Sequence, residues 1–282
     1  MSIDLHSHSS FSDGSDTPEE LVANAKRIGL DVLALTDHDT LEGIPRARAA
    51  AHEAGIELIS GTELSLDWDK GGMHLIVLWL EPGPGPLQDR LASLQQGRDL
   101  RNVGIVERLN ELGIEITIDE VLEQAGSGTV GRPHFAAVMQ RKGVVETLPQ
   151  AFDEFLANGK PAYVGRERLS PMEAIQLARA SGAVPILAHP HTLGVDNRHE
   201  MSDLLNRLVA YGLIGIECHY GTYSADGRSG MVAMARRFGL LPSGGSDYHG
   251  SYKADVALGV GRVGISVPRL ILDDLRHFAV GG

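Results

Sequence analysis

Apolar positions along this chain follow two rhythms that alternate. Compact runs such as Val32 to Leu35 and Val184 to Ala188 carry almost no polar residue and read as buried strands. Between them lie longer stretches with apolar residues every three or four positions, which read as amphipathic helices. Strands are expected at 3–8, 31–36, 56–60, 73–80, 184–188, 213–218 and 240–244. Helices are expected at 17–29, 41–54, 171–181, 202–211 and 230–238. The first has full terminal signals: Thr17 as cap, Pro18 in the first turn and Gly29 as the stop. This strand-helix alternation predicts a parallel α/β fold, most simply a barrel.

The rhythm breaks at Glu81 to Pro86, where Gly and Pro alternate. From there to about residue 158 the pattern is helical, with segments at 87–112, 118–124, 133–142 and 148–157. The expected organisation is a barrel domain from 1–82 and 159–282 around a helical insertion domain at 83–158. No internal repeat is visible.

Candidate chemistry sits at the ends of the apolar runs, where α/β barrels place their active sites. His6 and His8 stand two apart after the first strand, so one strand end can aim both imidazoles at one ion. Asp37, His38 and Asp39 follow the second strand, Glu63 the third, His189 and His191 a later one, and Asp247 and His249 the last. His74 stands apart from them, at the start of its strand. Such clusters of nitrogen and oxygen donors suggest a multinuclear metal site and metal-assisted hydrolysis.

Composition narrows the field. With a single cysteine, Cys218, the chain forms no internal disulfide and no Cys-ligated metal centre, and a reducing, cytoplasmic compartment fits. Neither a signal segment nor an apolar run near 20 residues is present, so no membrane association is expected. A formal net charge of −12 argues against a broad basic groove for duplex DNA, while bound cations would still attract phosphate. P-loop, dinucleotide and nucleophile-elbow motifs are absent.

Together, His6-Ser7-His8, Thr36-Asp37-His38-Asp39, Gly61-Thr62-Glu63, His189-Pro190-His191 and Ser246-Asp247-Tyr248-His249 resemble the signatures of the PHP (polymerase and histidinol phosphatase) family of metallophosphoesterases. They run in family order along most of the chain. Gly131-Arg132-Pro133-His134 in the helical segment is similar to the branch of nucleoside 3′,5′-bisphosphate phosphatases and 5′-to-3′ oligoribonucleotide hydrolases.

That resemblance implies a distorted (β/α)7 TIM-like barrel with a helical insertion domain, and three divalent ions (Mn, Fe or Zn). It assigns His6, His8, Glu63 and Asp247 to one ion, and Asp13, His38 and His249 to a second. Glu63, His74 and His134 take the third. Some relatives carry histidine where Asp13 stands here. By spacing alone Asp13 reads as a turn residue, and Asp37 and Asp39 are imidazole-orienting acceptors or helix caps.

The implied ligand set leaves His189 free to act on the phosphate or leaving group, as catalytic residue, or to be a ligand after all. His191, Arg132 and Ser246 are candidate substrate contacts; Arg132 and Ser246 are equally read as surface or neighbouring polar residues. The implied activity is hydrolysis of nucleoside 3′,5′-bisphosphates or of 5′-phosphorylated short single-stranded RNA. The alternatives are another small monoester such as histidinol phosphate, or a non-catalytic metal-stabilised module.

Overall fold

A computed structural model describes residues 2–126, 129–262 and 264–279. The chain divides into two compact units, Met1–Leu91 with Arg168–Gly282, and Ala92–Glu167. The sequence expectation had put those boundaries nine residues earlier at each end. The difference falls inside one long helix, Pro86–Glu111, at the first boundary.

The first unit is a seven-stranded sheet in the order β1 (Ile3–Asp4), β2 (Val32–Leu35), β3 (Glu57–Ser65), β4 (His74–Leu78), β5 (Val184–Leu187), β6 (Gly215–Tyr220) and β7 (Leu241–Gly245). It closes on itself. The Leu5 N–H donates to the Gly244 carbonyl, the Asp247 N–H to His6, and the His8 N–H to Tyr248. Gly245 permits this closure. A Cβ there would stand 2.5 Å from both the backbone N and the Cβ of His6, closer than atoms pack.

Side chains alternate across the strands as the pleat requires. Val32 and Ala34 join the cluster of Ile59, Ile76, Val184 and Ile186, while Leu33 and Leu35 join Leu21, Val22 and Ile44. The latter three come from α1 (Pro18–Arg27) and α2 (Ile44–Ala54). Thr17 caps α1 in a reciprocal box with Glu20, as its position before Pro18 foretells.

The second unit contains most of α3 (Pro86–Glu111), then α4 (Ile118–Ala125), α5 (Arg132–Arg141) and α6 (Leu148–Ala151), which continues as a π-helical stretch, Phe152–Leu156. Its core gathers Ile105, Leu109, Val121, Phe135, Met139 and Leu156. The first unit resumes with α7 (Pro171–Ala180), α8 (Arg198–Tyr211), α9 (Ala225–Arg237) and α10 (Arg269–Ala279). α8 and α9 start four and five residues before their expected positions, because Asn197 and Ser224 supply the caps. Sequence reading missed α10 altogether. It contributes Ile271, Leu272 and Leu275 to the strand-lined cluster.

One expectation about the sheet is corrected. β4 pairs antiparallel with both β3 and β5, so the barrel is not wholly parallel. The reversal explains His74. Because β4 runs backwards, its first residue lies where the other strands end, and it pairs directly with Ser65 at the end of β3. No strand boundary needs to move. Among the described residues, no helix is long and apolar enough to cross a membrane.

Candidate metal centre

The barrel mouth gathers His6, His8, Asp13, His38, Glu63, His74, Asp247 and His249 from five chain segments. Regular β1 stops at Asp4, yet His6 and His8 still converge, with Nε2 atoms 3.1 Å apart and both residues fully buried. Three groups of donor atoms form among the described residues: His6, His8, Glu63 and Asp247; His8, Asp13, His38 and His249; and His38, Glu63 and His74. The first reproduces the expected set in full. In the second, His8 joins the expected three.

Glu63 ties the groups together. Its Oε2 lies 3.1 Å from His6 Nε2, 3.2 Å from His8 Nε2 and 3.4 Å from His38 Nε2. Its Oε1 faces His74 Nδ1 and His189 Nε2, each at 2.9 Å. One buried carboxylate thus presents its two oxygens to different sets of imidazoles.

The outer edges of the rings decide what the inner edges can do. His6 Nδ1 lies 3.1 Å from a Glu217 oxygen, His249 Nδ1 2.9 Å from the Asp247 carbonyl, and His38 Nδ1 3.4 Å from the Glu63 carbonyl. Those partners only accept, so each Nδ1 holds the proton. Each Nε2 is then left as a lone pair pointing at carboxylate oxygens, a repulsive arrangement unless a proton or a metal ion lies between.

The spacing fits an ion. Donors bound at about 2.0–2.2 Å in a tetrahedron stand roughly 3.3–3.6 Å apart. The first group spans 3.1–3.5 Å between its imidazole nitrogens and their carboxylate neighbours.

Without an ion, protons take that place. Burial disfavours the charged form of His6, but Glu63, Glu217 and Asp247 outweigh it and hold its pKa well above the ordinary value. His8 is likewise opposed by burial, yet Asp247 and Glu63 carry it to about 9. Burial pushes the Glu63 and Asp247 carboxyls up, and the surrounding histidines overcome it and hold both well below the usual carboxylate range. His38 is the exception: burial wins over Glu63 and Asp13 and brings it to about 4, a neutral imidazole ready to ligate.

Asp247 shows how a donor atom is aimed. Its Oδ1 faces His6 and His8 at 3.5 Å. Its Oδ2 accepts from the Tyr220 hydroxyl at 2.7 Å and the Lys253 ammonium at 2.8 Å. Asp247, Asp39 and His189 also hold left-handed backbone, at φ of 58°, 54° and 21°. Strain of this kind collects where a site dictates geometry.

The remaining expectations resolve unevenly. His189 does not stand free for the substrate: its Nε2 shares Glu63 Oε1 with His74, and its Nδ1 lies 3.1 Å from the Thr192 hydroxyl. Ser246 faces inward. It is 1% exposed and its hydroxyl donates to buried Asp4, so it braces the loop. His191 is exposed, with Nδ1 3.0 Å from the Tyr223 hydroxyl. Arg132 and His134 belong to the helical unit. There Arg132 donates to the Leu156 carbonyl and covers the Tyr163 ring, and His134 Nδ1 accepts the Gly131 N–H.

Asp37 accepts from the Ser9 and Ser12 hydroxyls, holding the loop that carries Asp13. Asp39 accepts the Ser65 N–H. Cys218 is a buried core residue, its thiol pushed up to about 12 by burial.

Glu217, Tyr220 and Lys253 escaped sequence reading. Glu217 had a signal, a lone acid inside the apolar run Leu213 to Cys218.

Comparison with known proteins agrees with this geometry. Residues 4–98 match the family described as PHP domain. A 5′-3′ exoribonuclease of Haemophilus influenzae is 37% identical, over 87% of this chain and 89% of its own. A 3′,5′-nucleoside bisphosphate phosphatase of Chromobacterium violaceum is 34% identical, over 88% and 87%. A phosphoribosyl 1,2-cyclic phosphate 1,2-diphosphodiesterase of Eggerthella lenta is 30% identical, over 95% and 100%. A crystal structure from Bifidobacterium adolescentis, described as a metal-dependent phosphoesterase, superposes with a TM-score of 0.83 at 30% identity, covering 99% of this chain and 96% of that one.

Proposed function

From its membership of the PHP family of metal-dependent phosphoesterases, which makes the chain a hydrolase of phosphoric esters, we propose that it removes the 3′-phosphate of nucleoside 3′,5′-bisphosphates to leave the 5′-monophosphate. Short 5′-phosphorylated RNA, shortened from its 5′ end, is the close variant. The two substrates share one chemical feature: a phosphoester on a 3′ oxygen, one nucleoside away from a 5′-phosphate. A single site that reads the 5′-phosphate and cuts at the 3′ oxygen serves both. Two relatives, named as exoribonuclease and bisphosphate phosphatase, fit that single description.

The observation that carries the reading is the division of Glu63 between two sets of imidazoles, which supports three neighbouring cation sites. His6, His8, Glu63 and Asp247 would hold one ion, and His8, Asp13, His38 and His249 a second. Glu63, His74 and His189 would hold the third, within the barrel unit alone. Nitrogen and carboxylate donors without thiolate suit Mn, Fe or Zn. When bound, such ions supply positive charge against phosphoryl oxygens and acidify water near neutral pH.

The chain's own residues then position. Tyr220 and Lys253 fix the Asp247 carboxylate, Glu217 fixes His6, and the Asp247 carbonyl fixes His249. His191 and Tyr223 offer polar edges to the substrate. Arg132 is the candidate for the 5′-phosphate, whose binding energy would orient the reacting group.

Turnover of a panel tests this, with adenosine 3′,5′-bisphosphate, the 3′- and 5′-monophosphates, a 5′-phosphorylated dinucleotide, a ribose cyclic phosphate and histidinol phosphate. Loss of a charge-assisted contact costs about 1.5–3 kcal/mol, so kcat/KM should fall roughly 10–150-fold from the bisphosphate to the 3′-monophosphate. Equal turnover of those two sinks the bisphosphate reading, and preference for another monoester or the cyclic ester replaces it.

A further inference from the structure

Glu217 is a carboxylate with 0% exposure on a strand whose neighbours Ile216 and Cys218 are core residues. It makes two contacts to the metal centre. Oε1 lies 3.1 Å from His6 Nδ1, and Oε2 accepts the His189 backbone N–H at 2.8 Å. The first sets the tautomer of a residue in the first donor group. The second holds His189 at its left-handed φ of 21°, which places its Nε2 on Glu63 Oε1. We propose that Glu217 is a positioning residue that prepares two cation sites at once, fixing His6 for the first and the His189 loop for the third. The inference rests on the ion-binding reading above.

Glu217→Gln makes the idea sharply testable, because it keeps size and shape and removes one acceptor. The His189 backbone N–H can only donate, so the amide oxygen must face it. The amide NH2 then faces His6 Nδ1, which has to become an acceptor. The neutral ring then keeps its proton on Nε2, the atom aimed at Glu63 and Asp247, and a protonated nitrogen cannot ligate. Outer partners of ligating histidines are typically worth 10–100-fold in metal affinity.

The experiment uses the full chain stripped of metal and titrated with Mn²⁺, with ¹⁵N imidazole spectra recorded alongside. Expected for Glu217→Gln are 10–100-fold weaker binding of one ion, a His6 ring in the ion-free protein that has lost its Nδ1 proton while keeping the one on Nε2, where the parent carries both, and an unchanged thermal midpoint without metal. Activity should return as Mn²⁺ is raised to saturation, which a general folding defect would not allow. Glu217→Ala, which satisfies neither partner, should weaken two ions instead of one. Unchanged Mn²⁺ affinity and an unchanged His6 tautomer in Glu217→Gln would overturn the proposal. Failure of the parent protein itself to bind Mn²⁺, Fe²⁺ or Zn²⁺ would instead overturn the ion-binding reading, so the two failures are distinguishable.

Discussion

The barrel unit and the helical unit bury polar groups in opposite ways. In the barrel, His6, His8, Glu63, Glu217 and Asp247 lie at 5% exposure or less, within one network of ionisable groups that face one another. The helical unit buries an ordinary apolar core around Phe135 and Met139, with Arg98, Arg101 and Asn102 as its buried polar residues. Arg101 donates to Asn102 and to the Val130 carbonyl, a locally satisfied arrangement. The contrast is instructive because isolated buried charges are expensive and proteins accept them only where partners or ions compensate. In the barrel the compensation comes from protons or cations held between histidines and carboxylates. Among the described residues, none of the metal-donor groups lies in the helical unit.

Asp247→Ala should break that contrast most severely. It removes one wall of the first donor group and leaves Lys253 and the Tyr220 hydroxyl without their acceptor. Metal content should fall together with activity, the latter by on the order of 10³-fold or more. Retained metal with lost activity, read by elemental analysis beside a turnover assay, would show that Asp247 is no ligand.

Phe135→Ala probes the opposite region. Truncating a fully buried phenylalanine costs about 3–5 kcal/mol, so denaturant unfolding should shift by that amount. Because every donor of the three groups belongs to the barrel unit, ions per folded chain should not change. An ion lost with this substitution would make the helical unit part of the metal centre.

Arg132→Ala should cost about 1.5–3 kcal/mol in kcat/KM on a 3′,5′-bisphosphate and little on a 3′-monophosphate. A loss of equal size on both substrates would remove Arg132 as the 5′-phosphate contact.

The pH dependence of metal uptake is a milder test. His8 sits near 9 in the ion-free protein and must shed its proton to ligate, so affinity should rise through pH 6 to 9. A single displaced proton gives about tenfold per pH unit, or about 1.4 kcal/mol. Calorimetry in buffers of different ionisation enthalpy would register the released protons, and pH-independent affinity would contradict the charge network. The smallest effect is expected of His134→Asn, which should leave the ion count unchanged. An ion lost there would restore His134 to the third site in place of His189.

How much of this was legible in the sequence follows from the range of the interactions. The ligands stood out because barrel topology gathers strand ends, so short motifs such as His6-Ser7-His8 and Asp247-Tyr248-His249 carry their own meaning. The reversal of β4 was not legible, since an isolated strand of five residues has no direction in its composition. His74 looked misplaced for that reason alone. The start of α9 was hidden by Ser224 acting as cap among residues that read as loop. α10 had an apolar stripe at Ile271, Leu272 and Leu275 that went unused. Tyr220 and Lys253 act on Asp247 from 27 and 6 residues away, and Ser246 turns to Asp4 across 242. Contacts of that span have no local periodicity to betray them.

The central claim is that the barrel mouth is built to hold three divalent ions around Glu63. Elemental analysis of protein purified from metal-replete growth, paired with Glu63→Gln, tests it most directly. The account predicts close to three ions per chain in the parent and the loss of at least two in the variant, since Glu63 borders the first and third groups. One ion or none in the parent, or an unchanged count in the variant, would contradict it.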